Sequence, residues 1–253
     1  MVALVTGASS GIGAAFARKL ASQGHDLVLV ARRQQRLASL ADELHEQFCV
    51  NVEVLVADLT DAIDVGRVER RIAELRPLDI LVNNAGFGIA GKFAETQVDR
   101  HLAMIHVHVL ASVRFSRAAL PGMLARGQGA IINVSSIGAF MPKPGDVTYC
   151  ATKAYLNTFS EALQAELRGT GVQIQALCPG FTHTEFLDNP EYWEVPDRNQ
   201  NPRSILDVSG RGRREVARRS RAGSRCLRPR FQEPADRRVS PCRGDKPPTK
   251  GFR

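Results

Sequence analysis

The chain opens on a short β-branched run, Val2 to Thr6. It turns at once through Thr6-Gly7-Ala8-Ser9-Ser10-Gly11-Ile12-Gly13 into a segment with apolar residues at helical spacing, among them Ala15, Leu20 and Ala21. This strand-turn-helix start constrains the fold more than any other feature. Glycine supplies positive φ and lets a second backbone or a pyrophosphate come close, and a helix N-terminus presents unbonded N–H groups to an anion. On its own the pattern describes a tight connection; between a strand and a helix it points to a dinucleotide site.

The same alternation continues. Strands are expected at Val2–Thr6, Leu27–Ala31, Val52–Ala57, Ile80–Asn83, Ala130–Ser135 and Val172–Leu177, separated by helical patterns such as Leu37, Leu40, Ala41 and Leu44 and a long one from about Thr96 to Arg126. Strands alternating with helices imply βαβ units, and right-handed crossovers put helices on both faces of a parallel sheet. The expected fold is therefore α/β, a doubly wound Rossmann-type parallel sheet in a single domain over 1–190, with ligands at the carboxyl ends of the strands.

Tyr149 and Lys153 stand four apart at the start of a helical pattern, so their side chains share one face. A tyrosine near pKa 10 exchanges protons poorly at neutrality, and a neighbouring ammonium favours its phenolate. At the end of the second strand stands Ala31-Arg32-Arg33 with no carboxylate. An acid there would bind a ribose 2′-hydroxyl, whereas a guanidinium suits a 2′-phosphate, so Arg32 favours NADP(H) over NAD(H).

Over residues 2–188 these segments together resemble the short-chain dehydrogenase/reductase family. Thr6-Gly7 through Gly11-Ile12-Gly13 reads as its TGxxxGxG turn, Asn83-Asn84-Ala85-Gly86 as its NNAG segment, Asp58 as the acid it places at the adenine, and Pro179-Gly180 with Thr184 as the PGxxxT segment that holds the nicotinamide carboxamide. Ser136, thirteen residues before Tyr149, completes its Ser…YxxxK set, while Ser135 would point to the opposite sheet face. The resemblance implies cofactor contacts from Thr6, Gly7, Ser9, Ser10, Gly11, Ile12, Gly13, Arg32, Asp58, Asn84, Ala85, Gly86, Tyr149, Lys153, Pro179, Gly180 and Thr184. It implies Tyr149 as general acid/base, Ser136 as the group stabilising the substrate oxygen, and Lys153 also on the nicotinamide ribose.

One position departs from that pattern. Relatives carry an Asn thirteen residues before the Pro of an LPxM segment, where it holds a water in a proton relay; counting back from Pro121, this chain has His108. An imidazole can also hold a water, so His108 joins the candidate catalytic residues, with a core histidine as the other reading. Phe87, Phe140, Met141, Phe186, Leu187, Tyr192 and Trp193 are candidates for an apolar pocket, favouring a hydrophobic ketone or 3-oxoacyl substrate over a sugar. The expected activity is hydride transfer between NADP(H) and a carbonyl or secondary alcohol; the rival is a catalytically silent or unstable NADP-binding protein with an altered C-terminus.

The net charge of +8 suggests nucleic acid until it is divided along the chain. Residues 1–202 carry a balance of −3 and residues 203–253 one of +11, so the basic character is confined to the tail. Only 13 of its 51 residues are apolar, and its arginines lack aromatic interleaving. The segment 203–253 is therefore expected to be a disordered basic tail of the kind a shifted reading frame would produce, with 191–202 a lid or linker remnant, and nucleic acid is not an expected partner. A homo-oligomer is open to this fold, but the altered tail puts its surface in question. No run approaches the roughly 20 apolar residues of a membrane span and no signal-type start is readable, which makes the cytoplasm the expected location. Five scattered cysteines without Cys/His spacing point to no metal.

Overall fold

The computed structural model describes residues 1–180, which lie within the compact unit Met1–Val195. The expectations for Thr184, Phe186, Leu187, Tyr192, Trp193, the 191–202 segment and the 203–253 tail lie outside the described residues. Six strands, β1 (Val2–Thr6), β2 (Asp26–Ala31), β3 (Val52–Val56), β4 (Ile80–Asn83), β5 (Gly129–Val134) and β6 (Val172–Leu177), form one parallel sheet in the order β3-β2-β1-β4-β5-β6. Helices α1 (Gly11–Ser22), α2 (Gln34–Phe48), α3 (Ala62–Glu74), α4 (Val98–Ile105), α5 (Ala111–Arg126) and α6 (Val147–Glu166) supply the crossovers.

Side chains alternate across the strands and so feed two cores. Leu4, Val28, Val30, Leu81 and Ile131 pack on one face with Val65, Val68 and Ile72 of α3 and Phe115, Ala119 and Met123 of α5. Ala3, Val5, Leu27, Leu29 and Val82 pack on the other with Ala17 and Leu20 of α1 and Leu37, Leu40 and Leu44 of α2. Each large side chain removed from water in this way contributes about 1.5–3 kcal/mol.

The strand order reverses between β1 and β4. Their carboxyl ends splay into a crevice at that point, which is where such sheets take ligands. The long helical pattern before Arg126 is not uniform: a π turn, His106–Leu110, joins α4 to α5. Pi turns of this kind concentrate at functional sites because the widened turn re-aims the side chains on it.

Candidate functional site

Two loops meet at the crevice. Thr6, 2% exposed, accepts the N–H groups of Asn84 and Ala85 on its hydroxyl at 2.9 and 3.0 Å. Asn84 returns its amide to the carbonyls of Thr6 and Gly7, at 2.8 and 3.3 Å. A Cβ on Gly13 would come within 2.3 Å of the Gly7 oxygen and 2.5 Å of Asn84 Nδ2, so only glycine lets α1 seat against this pair of loops. Thr6, Gly13 and Asn84 thus stitch the turn to the loop after β4.

Beside the stitch lies a cleft of about 290 Å³ lined by Gly7, Ser9, Ser10, Arg32, Asp58, Ala85 and Gly86 among the expected residues, together with Arg33, Thr60 and Phe87. Gly11 and Ile12 begin α1 at its edge, half-buried. The two arginines divide. Arg32 is drawn toward Asp58, 3.7 Å away. Arg33 lies over the glycine-rich turn, its Nε and Nη2 on the Ser9 hydroxyl at 3.1 and 2.9 Å and Nη2 on Ser10 at 2.6 Å. Arg32 is the expected cofactor residue; Arg33 is the addition, and adjacency in the sequence does not tell which guanidinium lies over the turn. Asp58 also accepts from the N–H and hydroxyl of Thr60, which fixes its carboxylate at the wall.

Beneath the crevice Asn83 donates to Asn133 at 2.9 Å, and Asn133 donates to Ser160 of α6 at 2.9 Å, a buried polar chain tying β4 and β5 to that helix. Helix α6 carries Tyr149 and Lys153. Ser136 follows β5 with its hydroxyl accepting from Gly138 N–H at 3.0 Å, and it meets the Tyr149 ring across Gly138, where an added Cβ would lie 3.4 Å from the one and 3.3 Å from the other. Ser135 is buried and turned the other way, donating to the Lys153 carbonyl at 2.8 Å. Ile137 N–H donates to the Pro179 carbonyl at 3.1 Å, which brings the Pro179-Gly180 segment beside the same turn.

The electrostatics differ from expectation. Lys153 is 5% exposed and donates to the Val134 carbonyl at 2.8 Å, with its ammonium 5.7 Å from the centroid of the Tyr149 ring. Burial depresses its pKa to about 8. Burial raises the Tyr149 phenol above its usual value, opposed by the Ser136 hydrogen bond. Desolvation is the largest cause at Tyr149, and the Lys153 ammonium, aimed at the Val134 carbonyl, does not offset it.

His108 is 1% exposed on the π turn. Its Nε2 accepts the Phe87 N–H at 3.1 Å and its Nδ1 lies 2.9 Å from the Thr152 hydroxyl. Burial, and then the nearby Lys153 charge, hold its pKa well below the histidine range. Both nitrogens are bonded to protein groups, a pattern that suits tying elements together better than holding a relay water.

The comparisons with known proteins agree with this arrangement. Residues 1–194 match the family described as short chain dehydrogenase. The chain belongs to that family. An oxidoreductase of Staphylococcus epidermidis is 34% identical over 194 residues, covering 76% of this chain and 83% of that one. Sulfoacetaldehyde reductase 2 of Chromohalobacter salexigens is 38% identical over 189 residues, covering 73% and 74%. A solved short-chain dehydrogenase from Sphingobium yanoikuyae, in complex with NADPH, superposes with a TM-score of 0.76 at 33% identity, covering 94% of this chain and 99% of that one. The protein is thus a nucleotide-binding oxidoreductase of Rossmann fold, and no helix among the described residues is long and apolar enough to cross a membrane.

Proposed function

We propose that this short-chain dehydrogenase transfers hydride between NADP(H) and a carbonyl or secondary alcohol, with Ser136, Tyr149 and Lys153 as its catalytic set. The observation that carries the reading is the meeting of Ser136 and Tyr149 at Gly138, where an added Cβ would lie 3.4 Å from the Ser136 hydroxyl and 3.3 Å from the Tyr149 ring, one helical turn from a buried lysine. Two hydroxyls converging on one point can both address a single substrate oxygen.

The cofactor assignment rests on the donor set. Arg33 and Arg32, the Ser9 and Ser10 hydroxyls and the N–H groups at the start of α1 suit a dinucleotide that carries a 2′-phosphate, and no carboxylate ends β2 to repel it. The NADPH complex of the Sphingobium relative supports the same choice. When bound, the nicotinamide supplies or accepts the hydride. Tyr149, protonated at neutral pH, donates its proton to the carbonyl oxygen, or takes it from the alcohol in reverse. Ser136 hydrogen-bonds the same oxygen, and Lys153 lends positive charge. Pro179, Gly180 and Thr184 would hold the carboxamide end.

For the substrate we favour a hydrophobic ketone or 3-oxoacyl group. Phe140 and Met141, 58% and 53% exposed directly after the Ser136 turn, and Phe87 in the lining of the cleft offer apolar surface to such a substrate.

Thermal unfolding with NADPH and with NADH, followed by NADPH oxidation over a panel of ketones and 3-oxoacyl thioesters, tests the reading. NADPH at a hundred times its Kd stabilises the fold by about 2.7 kcal/mol, and NADH by less at equal concentration. Equal stabilisation by both would remove the NADP assignment, and turnover that survives Tyr149→Phe would remove the catalytic one.

A further inference from the structure

We propose that His108 is a positioning residue that fixes the helix bearing Tyr149 and Lys153 against the loop after β4, acting through Thr152. The inference extends the functional reading above and concerns how the same site is assembled.

A count of donors sets the state of the ring. The Thr152 hydroxyl has one proton, and it goes to the Tyr149 carbonyl at 2.9 Å. Nδ1 of His108 must then donate to Thr152 across their 2.9 Å contact. Nε2, left without a proton, accepts from Phe87 N–H at 3.1 Å. The neutral Nδ1–H ring satisfies every partner, and no other tautomer does. One end of the ring holds the second turn of α6, at Thr152, and the other holds the cleft-lining loop.

The surroundings are shaped to this ring. A Cβ on Gly86 would stand 2.7 Å from His108 Nε2, so the loop approaches the imidazole through a glycine. The ring meets Tyr149 edge-on, with centroids 5.8 Å apart. A second tie repeats the first seven residues earlier: His101 on α4 pairs its Nδ1 with Thr148 Oγ1 at 2.9 Å. Thr148 and Thr152 flank Tyr149 in sequence, so the part of α6 that carries the phenol is tied down by two histidine–threonine pairs. Displacing a reacting hydroxyl by even about 1 Å can cost on the order of a hundredfold in rate.

Four variants separate the two ends of the ring. In His108→Asn the amide nitrogen reaches the Nδ1 position and keeps the Thr152 bond. In His108→Gln the amide reaches the Nε2 position and keeps only Phe87. His108→Leu keeps neither, and Thr152→Val cuts the tie while leaving the histidine in place. We expect His108→Leu and Thr152→Val each to lower kcat about tenfold or more, with KM for NADPH moving less than about threefold. The double variant should be no slower than the slower single, since both remove one bond. His108→Asn should retain most of kcat and His108→Gln should not. Losses that multiply in the double variant, or equal rescue by Asn and Gln, overturn the proposal.

Two readouts do not need turnover. In ¹⁵N-histidine-labelled protein the His108 ring should carry its proton on Nδ1 between pH 8 and pH 6; a proton on Nε2 overturns the proposal. The phenolate absorbance of Tyr149, taken as the difference from Tyr149→Phe in each background, should shift alike in His108→Leu and Thr152→Val. With these two results in place, a wild-type protein that reduced no carbonyl would sink the functional reading and leave the tie standing; unshifted phenolate titrations would sink the tie alone.

Discussion

The ammonium of Lys153 points at the Val134 carbonyl, 2.8 Å away, while Tyr149 stands one turn earlier on the same helix with its ring centroid 5.7 Å from that ammonium. A buried cation that answers to one carbonyl is held at a loss of stability, because its ordinary protonation near pH 10.4 is opposed by desolvation and its pKa falls to about 8. The sign follows from linkage. Below pH 8 both the folded and unfolded chains bind the proton and the full penalty is present; between pH 8 and about 10.4 the unfolded chain binds more, so this group makes stability rise with pH.

Lys153→Met should therefore separate stability from function. Unfolding in urea at pH 7 should show a gain of about 1–3 kcal/mol, since an apolar chain of similar length replaces a desolvated charge. Turnover should fall at least about a hundredfold, in line with loss of support for acid–base chemistry. A variant that lost both together would mean the ammonium is better satisfied in the fold than its burial implies.

The two arginines after β2 should behave differently. Arg33 holds Ser9 and Ser10 over the glycine-rich turn, whereas Arg32 leans on Asp58 at 3.7 Å. Arg33→Ala should weaken NADPH binding by about tenfold to a hundredfold, the loss of charge-assisted hydrogen bonds worth roughly 1.5–3 kcal/mol, and leave NADH binding nearly unchanged. Arg32→Ala should have the smaller effect. Cofactor titration by calorimetry at fixed salt would check this, and the reverse ranking would return the assignment to Arg32.

Much of this architecture could be read in advance, for physical reasons. Strands β1, β2 and β4 are apolar runs buried on both faces, so their pattern survives without tertiary information; the second and fifth strands begin one residue earlier than expected, at Asp26 and Gly129. The π turn at His106–Leu110 was not readable, because its apolar spacing looks the same as that of a continuous helix and the widened turn is set by packing. At the site, motif positions were legible but directions were not. Which arginine turns inward, whether an imidazole nitrogen is spoken for, and whether desolvation or a neighbouring charge governs Tyr149 all depend on burial, which residue spacing does not encode.

Glycine tolerance tests how the two loops are joined. At Gly13 an added methyl meets the Gly7 carbonyl at 2.3 Å, a backbone atom that cannot swing aside. Gly13→Ala should lose about 1–3 kcal/mol of stability and the thermal shift given by NADPH. Gly66, within α3, has only the Arg114 guanidinium at 4.0 Å, so Gly66→Ala should stabilise by about 0.4–1 kcal/mol through the unfolded chain and leave the NADPH shift intact. Matching effects at the two positions would show that the close packing at Gly13 is not what fixes the turn.

Acid should loosen the protein through His108. Its folded pKa lies well below 6.5, first through burial and then through the Lys153 charge, while the unfolded imidazole titrates near 6.5. The stability tied to the neutral ring is fully present above pH 6.5. As pH falls from there toward the folded pKa, the unfolded chain binds a proton that the folded chain does not, and stability drops by up to about 1.4 kcal/mol per pH unit. His25, with its pKa also lowered by burial, adds a slope of the same sign. Urea unfolding between pH 7.5 and 5.5 should therefore show a falling midpoint, and His108→Asn should flatten it, because an amide does not titrate. An unchanged slope in that variant would mean that His108 takes up its proton inside the fold and that the bond from Phe87 N–H yields to it.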